Sequence, residues 1–477
     1  MSKKNNDNFD LLTPMVELFV ELIQMFTEKA AKLMEARMRF LFPAFDSTKD
    51  GKIDFKMLDD PTQTKNPEDL GWSSNQKKNI KLSSLSTHLH TFIIGASGWG
   101  KTNLMNVLME NNLKKNLPVI FIDPKGTRES INQFKALCKK YGKEVHIFSE
   151  HSPGLKKFNP LMSMNADQAL IMIMRSFDWG DKPNEYYLNC SRLALKSVLD
   201  NLYEKGKKFG FHEIYKELEL HHQKPETQGL RTQLSLLVNS TYGQLFNMSG
   251  NQGVVNMKEA WEKGECLYLG ISTMGYGSLA RTIGKMFVSE LQTLAHNIGA
   301  TCENQEEAIK KSIGVYIDEA GSVLFSDFID LANKARSSGL NLTVAVQSYS
   351  DMEMVGNSET LMKQLMESFS TWFVQRQLNP ENAEKLAKMF GTFTSEKKTK
   401  RVDSGIDTSM GTIREGHEFI THPDILKSIK IGQAILLTLN PKDVHLLNIR
   451  KAEEVKVIAR FADINKHFKS LEVKDGN

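Results

Sequence analysis

Cysteine is scarce: Cys138, Cys190, Cys266 and Cys302 are the only four in 477 residues. None stands in a Cys-x-x-Cys pair, so neither a zinc site nor a disulfide framework is indicated, and a reducing cytoplasm is the expected setting. Long apolar runs are missing too. The most apolar N-terminal stretch, 11–26, is interrupted by Pro14, Glu17, Glu21 and Gln24, whereas a membrane-spanning helix needs about 20 predominantly apolar residues. The opening MSKKNNDNFD has neither the apolar core nor the small-residue cleavage site of a secretory signal. No sign of charge dominates: 61 Lys and Arg stand against 57 Asp and Glu, a net +4. Such a balance does not announce a nucleic-acid binder, although local positive charge suffices to hold one. No basic patch interleaved with aromatics occurs, so base-specific reading is not indicated, and no internal repeat is visible.

The composition is otherwise that of a soluble protein, 40% hydrophobic and 25% charged, with length for two to four domains or one large domain with insertions. The most specific signal is GASGWGKT, 95–102, which fits G-x-x-x-x-G-K-[ST]. Glycines let consecutive backbone N–H groups curl around a phosphate chain. Lys101 would reach the β- and γ-phosphates, and the Thr102 hydroxyl would ligate Mg²⁺. An apolar run, Thr91 to Ile94, precedes the motif and a helical pattern from Asn103 to Met109 follows it. Strand, glycine-rich turn and helix place the phosphates at a helix N-terminus, where the dipole favours anions. The candidate nucleotide-binding residues are Gly95, Ala96, Ser97, Gly98, Trp99, Gly100, Lys101, Thr102 and the adjoining Asn103.

Strand and helix signals alternate on either side of a long helical stretch. Strands are expected at 118–122, 144–148, 266–270, 314–317, 342–346 and 371–374, with late, antiparallel strands at 434–439 and 444–449. The alternation implies an α/β fold with a mostly parallel, doubly wound sheet. Residues 1–88 read as a helical and irregular region, 89–164 as the first part of a nucleotide-binding core, 165–260 as an inserted all-α domain, 261–455 as the second part of the core, and 456–477 as a tail. Within the first region, 11–42 has a helical pattern that suits either a partner-docking helix or a membrane-surface anchor. DSTKDGKIDF, 46–55, imitates a calcium loop but places Met57 where the bidentate Glu belongs, so an Asp-Gly turn explains it better. The densest basic run, Lys397 to Arg401, lies in a polar stretch, 394–416, and reads as a solvated loop rather than a phosphate-binding face.

Two more strand ends carry candidate chemistry. GVYIDEA, 314–320, ends in Asp318, which would hold Mg²⁺ through water, and Glu319, which would take a proton from the attacking water. LTVAVQS, 342–348, ends in Gln347, which could orient that water or sense the γ-phosphate. ATP and Mg²⁺ are therefore the expected ligands. An arginine from a neighbouring subunit would complete such a site; Arg336 in ARSSGL is preferred over Arg376 in WFVQRQL.

Together GASGWGKT, VYIDEA and ARSSGLNLTVAVQS resemble the FtsK/HerA branch of RecA-like motor ATPases, and more specifically the TraG/TraD-like coupling proteins of conjugation and type IV secretion. Asp123-Pro124-Lys125-Gly126 and Asn159-Pro160 tighten the resemblance, which covers roughly 85–450. It implies a RecA-like core with an all-α domain, assembled as a homo-hexamer around a DNA channel with ATP between neighbours. DNA would be bound without sequence preference and delivered, with its relaxase, to secretion-channel proteins. Typical members begin with two membrane-spanning helices and this chain shows none, so membrane association would come through partners at the inner face of the cell membrane. Two other readings stay open: an ATPase receptor that recruits protein substrates to a secretion system, and a soluble HerA-like translocase in DNA processing or defence.

Overall fold

A computed structural model describes residues 52–452 apart from 87, 152–155, 181–182, 207, 247–252, 323–326, 352–363, 365 and 404–405. The expected helix at 11–42, most of the calcium-loop mimic and the 456–477 tail lie outside the described residues. The strands are β1 (Asp69–Ser73), β2 (Lys78–Lys81), β3 (Thr91–Ile94), β4 (Val119–Asp123), β5 (Val145–Phe148), β6 (Lys157–Phe158), β7 (Val254–Val255), β8 (Cys266–Gly270), β9 (Ile313–Ile317), β10 (Leu340–Val346), β11 (Thr371–Val374), β12 (Thr392–Asp403), β13 (Ile406–Phe419), β14 (Gln433–Leu439) and β15 (Lys442–Ile449). The chain divides into two compact units, one holding 391–420 together with the residues up to Ile53, the other holding Asp54–Phe390 and everything from Thr421 onward.

The larger unit is built on one sheet in the order β2-β1-β15-β14-β11-β3-β10-β9-β4-β8-β5. From β11 to β5 every neighbouring pair is parallel; from β11 to β2 every pair is antiparallel. Parallel strands covered on both faces read as continuous apolar runs, and TFII, VIFID, CLYLG, IGVYI and TWFV are buried at every position. Helices α1 (Lys101–Lys114) and α2 (Arg128–Lys140) cover this sheet. Leu104 and Leu108 of α1, Phe134 of α2, Phe121 of β4 and Tyr268 of β8 meet in one buried cluster, with Phe121 edge-on to Tyr268 at 5.5 Å. Cys138 and Cys266, distant in sequence, hydrogen-bond to each other there and stay free thiols.

Residues 69–81, irregular by sequence pattern, form β1 and β2 at the sheet edge. The reason is long-range: β1 pairs with β15 from the far end of the chain. Arg450, just past β15, donates from Nε to Asp69 O at 2.6 Å and pairs with the buried Glu110 of α1.

Between β6 and β7 the chain is helical: α3 (Ala166–Ser176), α4 (Glu185–Glu204), α5 (Phe211–His221), α6 (Gln228–Val238) and the short α7 (Gly243–Phe246). Asn165 caps α3 and Gln168 returns the bond, a capping box. The entry and exit of this helical stretch meet as the parallel pair Lys157↔Val254 and Phe158↔Val255. Asn159 secures the entry: its side chain accepts from Leu161 N and donates to Phe209 O. Phe148, Phe158, Phe246 and Phe287 stack mutually at 4.9–6.4 Å and join these helices to the sheet edge. Beyond β7 follow α8 (Met257–Lys263), α9 (Thr273–Thr301), α10 (Gln305–Lys310), α11 (Asp327–Ala335), α12 (Pro380–Phe390) and α13 (Pro423–Ser428).

In the smaller unit β12 and β13 pair from Thr392↔Phe419 to Asp403↔Ile406, with one irregularity at Lys400/Arg401. The basic run Lys397 to Arg401 is thus strand, not loop. A two-stranded ribbon needs no apolar face toward a core, so the apolar alternation that betrays a strand is missing here.

Candidate nucleotide site

β3 is the strand from which the glycine-rich loop springs, and the loop feeds directly into α1. Gly100 caps α1 at φ 97°, a left-handed conformation suited to glycine. Gly95 is needed for another reason: a Cβ there would stand 2.5 Å from Gln375 Cβ, so the loop can lie on Gln375 only without one. Lys101 turns back into the loop and donates to Gly95 O at 2.7 Å and Ala96 O at 3.1 Å. Burial lowers its pKa, against the pull of Asp318 and Glu319. Thr102 is exposed at the helix start, whereas the Asn103 side chain faces the far end of the chain, bonded to Arg450 O and Ala452 N.

One flank of the loop carries carboxylates. β10 and β9 stand beside β3 in turn, and their carboxyl ends bear Gln347 and Asp318-Glu319. Asp318 is 5% exposed, and burial, then the neighbouring Asp123 carboxylate, raises its pKa. Glu319 has φ 41°, an unusual angle for a side-chain-bearing residue. Its Oε1 receives Gln347 Nε2 at 2.9 Å and pairs with Lys125 Nζ at 2.8 Å. Burial works against the Lys125 ammonium, but the hydrogen bond and charge of Glu319 raise its pKa. Lys125 belongs to the Asp-Pro-Lys-Gly turn after β4; there Asp123 accepts from Tyr268 Oη at 2.5 Å and Lys125 N at 2.9 Å. The spacing of the motifs does not single out Lys125 as a site residue. The signal available for it is its position just past a strand end that lies beside β9.

The other flank is apolar and clamped. Trp99 donates from Nε1 to Ile429 O at 3.0 Å, and its carbonyl accepts from Gln375 Nε2 at 3.2 Å and Gly432 N at 3.3 Å. The Arg376 guanidinium lies 4.9 Å from the Trp99 ring centroid, and Arg376 O accepts from Ala96 N. These residues follow β11 and precede β14, the strands on the far side of β3.

Lys101, Asp318, Glu319 and Gln347 thus come together. Arg336 does not join them. It is exposed at the amino end of β10, a strand length (about 20 Å) from Gln347, which caps the other end.

Two family profiles match the chain: "TraM recognition site of TraD and TraG" over 312–428, and "Helicase HerA, central domain" over 70–263. The chain belongs to the TraG/TraD-like coupling proteins of the FtsK/HerA superfamily. As expected of a coupling-protein family member, its fold is that of solved relatives. The unbound bacterial conjugative coupling protein TrwBdeltaN70 aligns with a TM-score of 0.59 at 16% identity, over 84% of this chain and 93% of that one. TrwB in complex with ADP and Mg²⁺ aligns at 0.57, also at 16% identity, over 84% and 93%. VirB4 of Thermoanaerobacter pseudethanolicus aligns at 0.54 and 14% identity, over 81% and 98%. No curated protein matches by sequence. Among the described residues of this family member, no helix is long and apolar enough to cross a membrane.

Proposed function

We propose that the protein is an ATP-hydrolysing motor that moves DNA, bare or bound to protein, toward a conjugation or type IV secretion channel. The observation that carries this reading is the convergence of Lys101, Asp318, Glu319 and Gln347 on one glycine-rich loop at the carboxyl ends of β3, β9 and β10. Family membership supports the coupling role, and the solved relative TrwB is seen with ATP and GTP analogues as well as with ADP and Mg²⁺.

The loop N–H groups and Lys101 receive the triphosphate, and Lys101 exchanges its bonds to Gly95 O and Ala96 O for phosphate oxygens. The donor set suits Mg²⁺: a hydroxyl at Thr102 and a buried Asp318 carboxylate that Asp123 already crowds with like charge. Mg²⁺, when bound, neutralises phosphate charge. Glu319 is the base for the attacking water and Gln347 holds Glu319 in place; Lys125 steadies the same carboxylate. Arg336, at the opposite end of the sheet, is assigned to the site of the next subunit in a ring of six. Contact with DNA is sequence-independent, and membrane contact is made through partner proteins.

The test is the ATPase rate of the purified protein with and without single- and double-stranded DNA, alongside its assembled mass. DNA should stimulate turnover severalfold, and Lys101→Ala should lower it by at least ~10²-fold. An unstimulated rate, or full turnover in Lys101→Ala, refutes the motor reading.

A further inference from the structure

The phosphate loop has two unlike flanks, and the direction of the triphosphate follows from them. The reacting γ-phosphate belongs beside Asp318, Glu319 and Gln347, on the β10/β9 side. The nucleoside end of the same chain must then leave on the opposite side, over the residues that follow β11 and precede β14. That side is already fitted to the loop. The turn Lys430–Gln433, closed by Gln433 N to Lys430 O at 3.0 Å, is hydrogen-bonded to the loop through Gly432 N. A Cβ on Gly100 would meet Gly432 N at 3.8 Å, so the turn stands directly against the loop. At its tip Ile431 is 72% exposed, a large aliphatic side chain held in water beside a half-buried indole. A second observation is independent of this apolar surface. Gln375 Oε1 and Arg376 Nε, at the same flank, are buried and have no hydrogen-bond partner among the described residues. Buried polar atoms are seldom left so, and a ligand or ordered water ordinarily satisfies them.

We propose that this flank is the seat of the nucleoside, with Ile431 and the Trp99–Arg376 pair packing against the base. The proposal rests on the nucleotide reading above and adds to it the residues that bind the non-phosphate half. Ile431 and the Trp99–Arg376 stack offer an aliphatic surface, an indole and a guanidinium plane. Such surfaces hold any purine by area and stacking, whereas discrimination needs placed hydrogen-bonding groups. Weak preference between adenine and guanine follows.

The experiment measures binding of three ligands to the full chain with Mg²⁺, by Trp99 fluorescence and calorimetry: ATP, GTP and inorganic tripolyphosphate. In the wild type, ATP and GTP should bind within about threefold of each other, because one missing or added contact of this kind changes affinity modestly. Ile431→Asp should weaken ATP by ~10-fold, as expected for loss of one buried aliphatic contact, and leave tripolyphosphate unchanged. Ile431→Leu, which keeps the apolar area, should retain ATP affinity and so guards against a folding defect. Unchanged ATP affinity in Ile431→Asp, or equal loss of ATP and tripolyphosphate, overturns the seat while leaving the phosphate site standing. A wild type that binds neither ATP nor tripolyphosphate overturns the nucleotide reading itself and the seat with it.

Discussion

The two ends of the central sheet carry similar residue types and treat them in opposite ways. At the carboxyl end, Asp318 and Asp123 crowd each other, Lys101 is buried among backbone carbonyls, and Glu319 stands at a positive φ. At the amino end the charges cancel. His146 of β5 pairs with Glu265 at 2.6 Å, Glu144 lies 3.8 Å from the same nitrogen, and Lys156 reaches both carboxylates. The three acidic and imidazole groups sit as close as metal ligands, but the Lys156 ammonium supplies their cation. His90, just before β3, is satisfied as completely: Nε2 donates to Ala332 O at 2.9 Å and Nδ1 accepts from Leu342 N at 3.1 Å. Charge that remains uncompensated is charge kept for a ligand; charge that is compensated holds the fold.

Substitutions at both ends put that contrast at risk. Glu319→Gln should leave ATP bound while turnover falls by roughly 10²–10³-fold, the usual loss with a general base; weak binding in this variant would make Glu319 a ligand-holding residue instead. His90 should appear in the acid limb of stability. Burial lowers its pKa to about 4, so the folded state keeps a neutral imidazole. Its contribution is complete above the ordinary histidine value of 6.5 and is lost as pH falls toward about 4. That loss is on the order of 3 kcal/mol, and His90→Gln should flatten the corresponding part of a denaturation-midpoint profile against pH. The smallest effect belongs to His146→Ala. Stability should fall by about 1–2 kcal/mol, with ATPase rate within about twofold of wild type; a collapse of turnover would place chemistry at the wrong end of the sheet.

Much of this is legible in residue order alone. Buried parallel strands advertise themselves as unbroken apolar runs, and a glycine-rich loop ending in Lys-Thr between strand and helix is a phosphate cradle far more often than a plain turn. The core sheet and the Lys101, Asp318, Glu319, Gln347 constellation follow from those two signals. What stays hidden depends on partners remote in the chain. KNIK at 78–81 looks polar because it is an exposed edge strand, and only pairing across β1 makes it one. The ribbon at 392–419 reads as a loop for want of an apolar face. Lys125 stands out for the company of Asp123, Pro124 and Gly126, but its tie to Glu319 exists only in three dimensions. Likewise Gln375 accounts for Gly95: the glycine gives room for a neighbour nearly 300 residues away.

Lys101 lends the glycine-rich loop a tenant of its own. By donating to Gly95 O and Ala96 O it occupies the cradle from within, while Trp99 is fastened from outside. A subunit that has shed its product therefore keeps the shape it needs for the next triphosphate, and arrival of that ligand is a swap of bonds rather than an act of folding. In a cycle that must empty and refill many times, the vacant interval is the one in which a slack loop would lose most time.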